Sequence, residues 1–153
     1  MNISPLQLEH SLIEEINLKP ARGAKEFCES LNVEADPSFA RHDGDQTRWQ
    51  VGLAIHFSGA NEKPSPYEGM IKVTGLFRVA ETMPEERLLR LVAVNAPSIL
   101  YSTAREVIAG LTARGINGLF LLPSVSFVDV CIEPESKASE QPDKTTIPST
   151  KAN

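Results

Sequence analysis

The sequence predicts an α+β domain: a four-stranded antiparallel sheet followed by a long helix. Two observations carry this. Four stretches between Leu6 and Val79 alternate apolar and polar residues with short links between them. From Thr82 to Gly115 the apolar spacing changes to that of a helix. Strands that precede a helix, rather than alternating with helices, indicate segregated layers and an antiparallel sheet.

The first strand is read at Leu6 to Leu18. Its even positions (Leu6, Leu8, His10, Leu12, Glu14, Ile16 and Leu18) make the more apolar face, and its odd positions the wet one. On that apolar face His10 reads as a satisfied core histidine. A weaker strand at Val33 to Arg41 contains Pro37, which has no N–H for a central ladder and so marks an edge. Asp43-Gly44-Asp45 supplies hairpin turn chemistry. The third strand, Thr47 to Phe57, puts Trp49, Val51, Leu53, Ile55 and Phe57 on one face, and Trp49 is expected in the core. Residues 60 to 66, with Pro64 and Pro66, make a longer loop. The fourth strand, Tyr67 to Val79, repeats the alternation with Tyr67, Ile71, Val73, Phe77 and Val79.

Thr82-Met83-Pro84-Glu85 resembles a capping box with an early proline. Leu88, Leu91 and Val92 keep helical spacing. Pro97 removes a donor and is expected to kink or restart the helix. Beyond it Leu100, Ala104, Val107, Ile108 and Leu111 form a stripe, with Arg114 in the last turn and Gly115 as the C-terminal cap. Between Ser98 and Ala113 the only charges are Arg105 and Glu106. The face away from the stripe (Ile99, Ser102, Thr103, Gly110 and Ala113) is small and weakly polar. A surface helix ordinarily keeps a solvated face, so this one is expected to be covered on a second side. The loop at residues 20 to 32 or another subunit would do this. With no second helix in the domain, the reading favours a subunit interface.

Length and composition bound the function. The chain has 153 residues, 41% apolar and 23% charged, with a formal charge of −5. One folded domain over residues 1–133 is expected. Residues 134–153 hold one large apolar residue, Ile147, and three prolines, so they read as a flexible polar tail. The acidic balance argues against a nucleic-acid partner. The longest apolar runs are four residues, far below the roughly 20 of a membrane span, so no membrane insertion is expected. The first basic residue is Lys19, which gives no basic n-region and points to the cytoplasm. There Cys28 and Cys131 are expected to be reduced thiols.

Motifs for chemistry are missing. No lysine follows a glycine as a phosphate loop requires, and there is no G-x-G-x-x-G or G-x-S-x-G. His10, His42 and His56 do not fall at metal-ligand spacing, and His42 reads as a solvated turn residue. The expectation is a protein that is not an enzyme and uses neither metal nor cofactor.

Asn95 to Phe127 reads NAPSILYSTAREVIAGLTARGINGLFLLPSVSF. This resembles the SecB family of protein-export chaperones, whose helix carries P-x-I-L-aromatic-x-x-A-R-E-x-I, then R-G and a leucine- and proline-containing return ending in Phe. The matching positions are Pro97, Ile99, Leu100, Tyr101, Ala104, Arg105, Glu106, Ile108, Arg114, Gly115, Leu122 and Phe127. Gly75-Leu76-Phe77 matches a G-I-F element at the end of the family's fourth strand.

The resemblance implies a SecB-like fold assembled as a dimer of dimers, a tetramer. It implies an ATP-independent holdase that keeps unfolded or precursor polypeptides in hydrophobic grooves and passes them to the SecA motor. Phe27, Leu31, Val33, Phe39 and Phe127 are the expected groove residues. Phe27 matches a groove Phe of the family's crossover loop, and Leu31 stands in place of its Trp. A free edge strand would add main-chain pairing to the client. Ile99, Thr103, Glu106, Gly110 and Leu111 are the expected oligomer interface. Glu15 matches an acidic residue of the SecA-facing surface, whereas Lys19 and Met70 replace two others. This departure suggests an alternative, a specialised chaperone for a single client such as an antitoxin, without SecA. A third reading is a non-chaperone oligomeric adaptor. The family's final helix begins near Ser126-Phe127; here Phe127 to Ile132 alternates, and a short strand or extended tail is expected instead.

Overall fold

The structure, a computed structural model, describes residues 2–22, 31–60 and 64–133. Among the described residues four strands, β1 (Leu6–Pro20), β2 (Leu31–His42), β3 (Asp45–Gly59) and β4 (Tyr67–Val79), precede a single helix, α1 (Glu85–Thr112). All pairings are antiparallel, in the order β1-β4-β3-β2. β2 is an edge strand, as Pro37 indicates. The hairpin turn falls at Asp43-Gly44, where the Gly44 N–H donates to His42 Nδ1 at 3.1 Å.

β3 and β4 follow the alternation read from the sequence. Trp49, Val51, Leu53, Ile55 and Phe57 are buried on one face, opposite Phe77, Gly75, Val73, Ile71 and Gly69 of β4. Trp49 is a core residue, 4% exposed. α1 packs on this face, over β4 with β1 and β3 to its sides. Gly75 lets it approach: a Cβ there would meet Leu100 of α1 at 2.8 Å.

β1 departs from a simple two-residue period. Register shifts at Leu8/His10 and Ile13/Glu15 insert Glu9 and Glu14 as extra residues. Each bulge exchanges the faces of the residues beyond it. Leu6 and Leu8 face inward opposite Val79 and Phe77. Then Ser11 and Ile13 do so opposite Gly75 and Val73, and finally Ile16 and Leu18 opposite Ile71 and Gly69. The expected even face is therefore split. His10 and Leu12 lie on the outer face, and His10 is exposed rather than in the core.

Three helix expectations are corrected. No capping box forms: the N-cap is Pro84 and no side chain bonds to the cap. Glu85 and Glu86 instead place negative charge at the helix N-terminus, and Arg41 donates to Glu85 at 2.6 Å. Pro97, expected to kink or restart the helix, does not restart α1, which runs through it with the ring fully buried. The C-cap is Ala113, so Arg114 lies past the last turn. Gly115 is needed for space rather than for a left-handed cap, because a Cβ there would strike the Tyr67 hydroxyl. The left-handed position is Gly118, at φ 75°.

Candidate functional site

After α1 the described residues 113–133 form neither a strand nor a helix. Residues 119–127 run back along α1 without regular secondary structure, and Phe127 to Val130 makes a turn, so that of the expected short strand or extended tail the strand does not form. The Val130 N–H donates to the Phe127 carbonyl at 3.0 Å. Phe120, Leu122 and Phe127 point inward and are buried. Leu119 and Leu121, at the alternate positions, are 62% and 52% exposed.

Three side chains of α1 hold this return segment by its backbone. The Phe120 N–H donates to Thr112 Oγ1 at 2.9 Å. Arg105 Nε donates to the Leu122 carbonyl at 2.9 Å, and the Tyr101 hydroxyl to the Pro123 carbonyl at 2.7 Å. Burial pushes the Tyr101 hydroxyl above its ordinary pKa. Asn117 fastens the preceding turn to the sheet end, its Nδ2 donating to Ala21 and Pro66 carbonyls at 2.9 and 2.6 Å.

The segment lies on the β3 side of α1. The Phe120 ring packs 5.8 Å from those of Phe57 in β3 and Tyr67 in β4. At the other end Phe127 meets Tyr101 edge-on at 6.0 Å. Phe57 is in register with Val33 of β2. Leu100, beside Tyr101, packs at Gly75, which is in register with Val51 and through it with Phe39. Along the strand direction the segment thus spans the register from Val33 to about Phe39, six steps or roughly 20 Å.

Along this length β2 presents Leu31, Val33, Ala35, Pro37 and Phe39 on its inner side, all partly exposed. These residues and the return segment frame an open apolar strip. Among the described residues the main chain on the outer edge of the strip has no partner strand. Pro37 has no N–H, so its pair with Leu53 is not a hydrogen-bonded one. By alternation, the N–H and C=O groups of Val33, Ala35 and Phe39 point to the open edge. Apolar side chains and unpaired main chain therefore belong to the same residues.

The expected site residues fare unevenly. Leu31, Val33 and Phe39 come together on the strip. Phe127 sits beside it, 5% exposed, as an anchor of the return segment rather than a free surface. Phe27 lies outside the described residues. Ile99, packed against the core, and Thr103 are half-buried, while Glu106, Gly110 and Leu111 are exposed on α1. Glu15 is on β1's outer side, where Lys72 pairs with it at 3.5 Å. Lys19 and Met70 share that outer face, with Lys19 directly opposite Glu68. Sequence reasoning missed Tyr101, Arg105 and Thr112 as holders of the return segment. The one available signal was Arg105, a cation on an otherwise almost uncharged helix.

No described helix is long and apolar enough to cross a membrane. Comparison with known proteins accounts for the architecture. The profile of the family described as "Preprotein translocase subunit SecB" matches residues 6–137. "Protein-export protein SecB" of Acidithiobacillus ferrooxidans is 49% identical over 112 residues, covering 71% of this chain and 74% of the relative. Its namesake in Psychrobacter cryohalolentis is 24% identical over 135 residues, covering 87% and 89%. A SecB-like chaperone of Mycobacterium tuberculosis, solved in complex with a ChAD peptide from an antitoxin, superposes with a TM-score of 0.61 at 16% identity. That likeness covers 79% of this chain and 91% of the other and concerns the fold. A profile match that takes in every strand, α1 and the return segment, together with the 49% identity, makes this chain a member of the SecB family.

Proposed function

We propose that the chain is an ATP-independent holdase that keeps unfolded or precursor polypeptides extended along the β2 strip, in the service of protein export. One observation carries this: the half-exposed Leu31, Val33 and Phe39 row, whose outer main chain has no partner strand among the described residues, beside the return segment. An unfolded client offers apolar side chains and unpaired backbone, and both find partners there without sequence reading. The peptide in the Mycobacterium tuberculosis complex supports a fold that holds polypeptide. Function here is binding, with no catalytic step, in the cytoplasm. In this reading Phe127 braces the groove wall from its buried position, and Phe27 is proposed as a further client contact.

The side of α1 carrying Ile99, Thr103, Glu106, Gly110 and Leu111 is the proposed interface of a homo-tetramer. Several strips on one particle would lengthen retention by avidity. A single site with Kd about 1 μM corresponds to roughly −8 kcal/mol and, at an on-rate of about 10⁶ M⁻¹ s⁻¹, releases in about a second.

The test is suppression of light scattering when a denatured, slow-folding client is diluted into stoichiometric amounts of the protein. Full suppression without nucleotide is expected; undiminished aggregation rejects the reading. A second reading, one dedicated client and no hand-over to SecA, is favoured by Lys19 and Met70 on the outer face. Tight SecA binding that is lost in Glu15→Gln would decide against it.

A further inference from the structure

Tyr101, Arg105 and Thr112 stand at i, i+4 and i+11 on one side of α1, and each bonds to the main chain of the return segment. Within residues 118–133 the described main-chain bonds number two: Gly118 N–H to the Gly115 carbonyl, and Val130 N–H to the Phe127 carbonyl. From Leu119 to Ser126 no ladder or helix fixes the backbone. Its place relative to β2 is set by buried Phe120, Leu122 and Phe127 and by the three side chains of α1. Among these Arg105 is half-buried, and its bond to Leu122 is charge-assisted, the stronger kind.

We propose that Arg105, backed by Tyr101, is a positioning residue for client binding. It touches no client; it fixes the return segment at a set distance from Val33 and Phe39 and so sets the width of the groove. A wall that must be ordered as the client arrives weakens binding, whereas a wall already held does not. The proposal rests on the holdase reading.

The experiment uses the full chain with fluorescein-labelled, reduced and carboxymethylated α-lactalbumin as a permanently unfolded probe. Anisotropy gives Kd, stopped flow gives koff, light scattering gives particle mass, and hydrogen exchange follows residues 119–125. Arg105→Ala is expected to raise Kd about tenfold, chiefly through koff, with unchanged mass and faster exchange in the segment. Arg105→Lys, whose ammonium reaches the same carbonyl, recovers most of the affinity. Tyr101→Phe gives a smaller rise of about threefold and keeps the ring against Phe127. A folded Arg105→Ala with wild-type Kd overturns the proposal, as does a Kd change that tracks a change in mass. If Arg105→Ala does not fold, Tyr101→Phe decides: faster exchange with wild-type Kd overturns it. A wild-type protein that fails to bind the probe overturns the holdase reading itself, a distinct outcome.

Discussion

Glu9 shows how one inserted residue changes a side chain's chemistry. It occupies the first bulge of β1, where Arg78 Nε donates to Oε1 at 2.7 Å and Arg48 Nε lies 4.0 Å from Oε2. The Arg78 hydrogen bond, more than the nearby charges, holds the Glu9 carboxyl below the ordinary carboxylate pKa. A depressed folded pKa adds stability above the unfolded pKa, and that stability is lost as pH falls through the folded value. Arg78→Gln should therefore raise the Glu9 pKa toward its ordinary value and remove the share of stability that Glu9 loses on acidification. NMR titration of the Glu9 side chain checks this, and an unmoved midpoint contradicts it. At this scale the sequence was legible where one face is fully buried, as at Trp49. It was illegible at His10, because nothing in the residue string marks where a strand inserts an extra residue.

At the scale of elements, every strand and the helix were legible, because period two and helical spacing are local signals. Faces and ends were less so. β1 carries large apolar residues on both faces: Leu12 is 52% exposed and Ile13 40%. A bulged edge strand blurs the alternation that a central strand such as β3 keeps. The missed cap at Thr82 has a different cause: a proline at the cap itself, φ −55° and ψ 141°, starts α1 without a side-chain bond. The return segment was the hardest element. It has no period to read, since tertiary contacts alone hold it. Its alternate residues Phe120 and Leu122 nonetheless belong to the core. Phe120→Ala should cost about 3–5 kcal/mol, typical of a buried aromatic truncated to a methyl group. Urea unfolding measures it; a loss below about 1 kcal/mol would mean that residues 118–127 are an appendage.

For the whole molecule, the groove became visible only when β2, the return segment and the free edge were assembled. Leu31, Val33 and Phe39 were named as candidates, with Phe127, through the resemblance to the family. How the return segment lies against the sheet was not legible, because it arrives about ninety residues later in the chain. Leu111, half exposed on α1, is part of the proposed subunit contact. Leu111→Asp should lower the particle mass in light scattering while leaving the monomer's fold intact, since Leu111 is outside the core. An unchanged mass would place the subunit contact elsewhere.

The order β1-β4-β3-β2 also has a consequence for how the chain comes to be folded. β2, β3 and β4 form a meander of neighbours and close in sequence as they are made. β1 pairs with the last of them, Leu6 meeting Val79. Such a late, distant closure slows folding and leaves Leu6, Leu8, Ile13 and Ile16 without partners in the meantime. During its own synthesis, a protein built to shelter unfinished chains would thus be one.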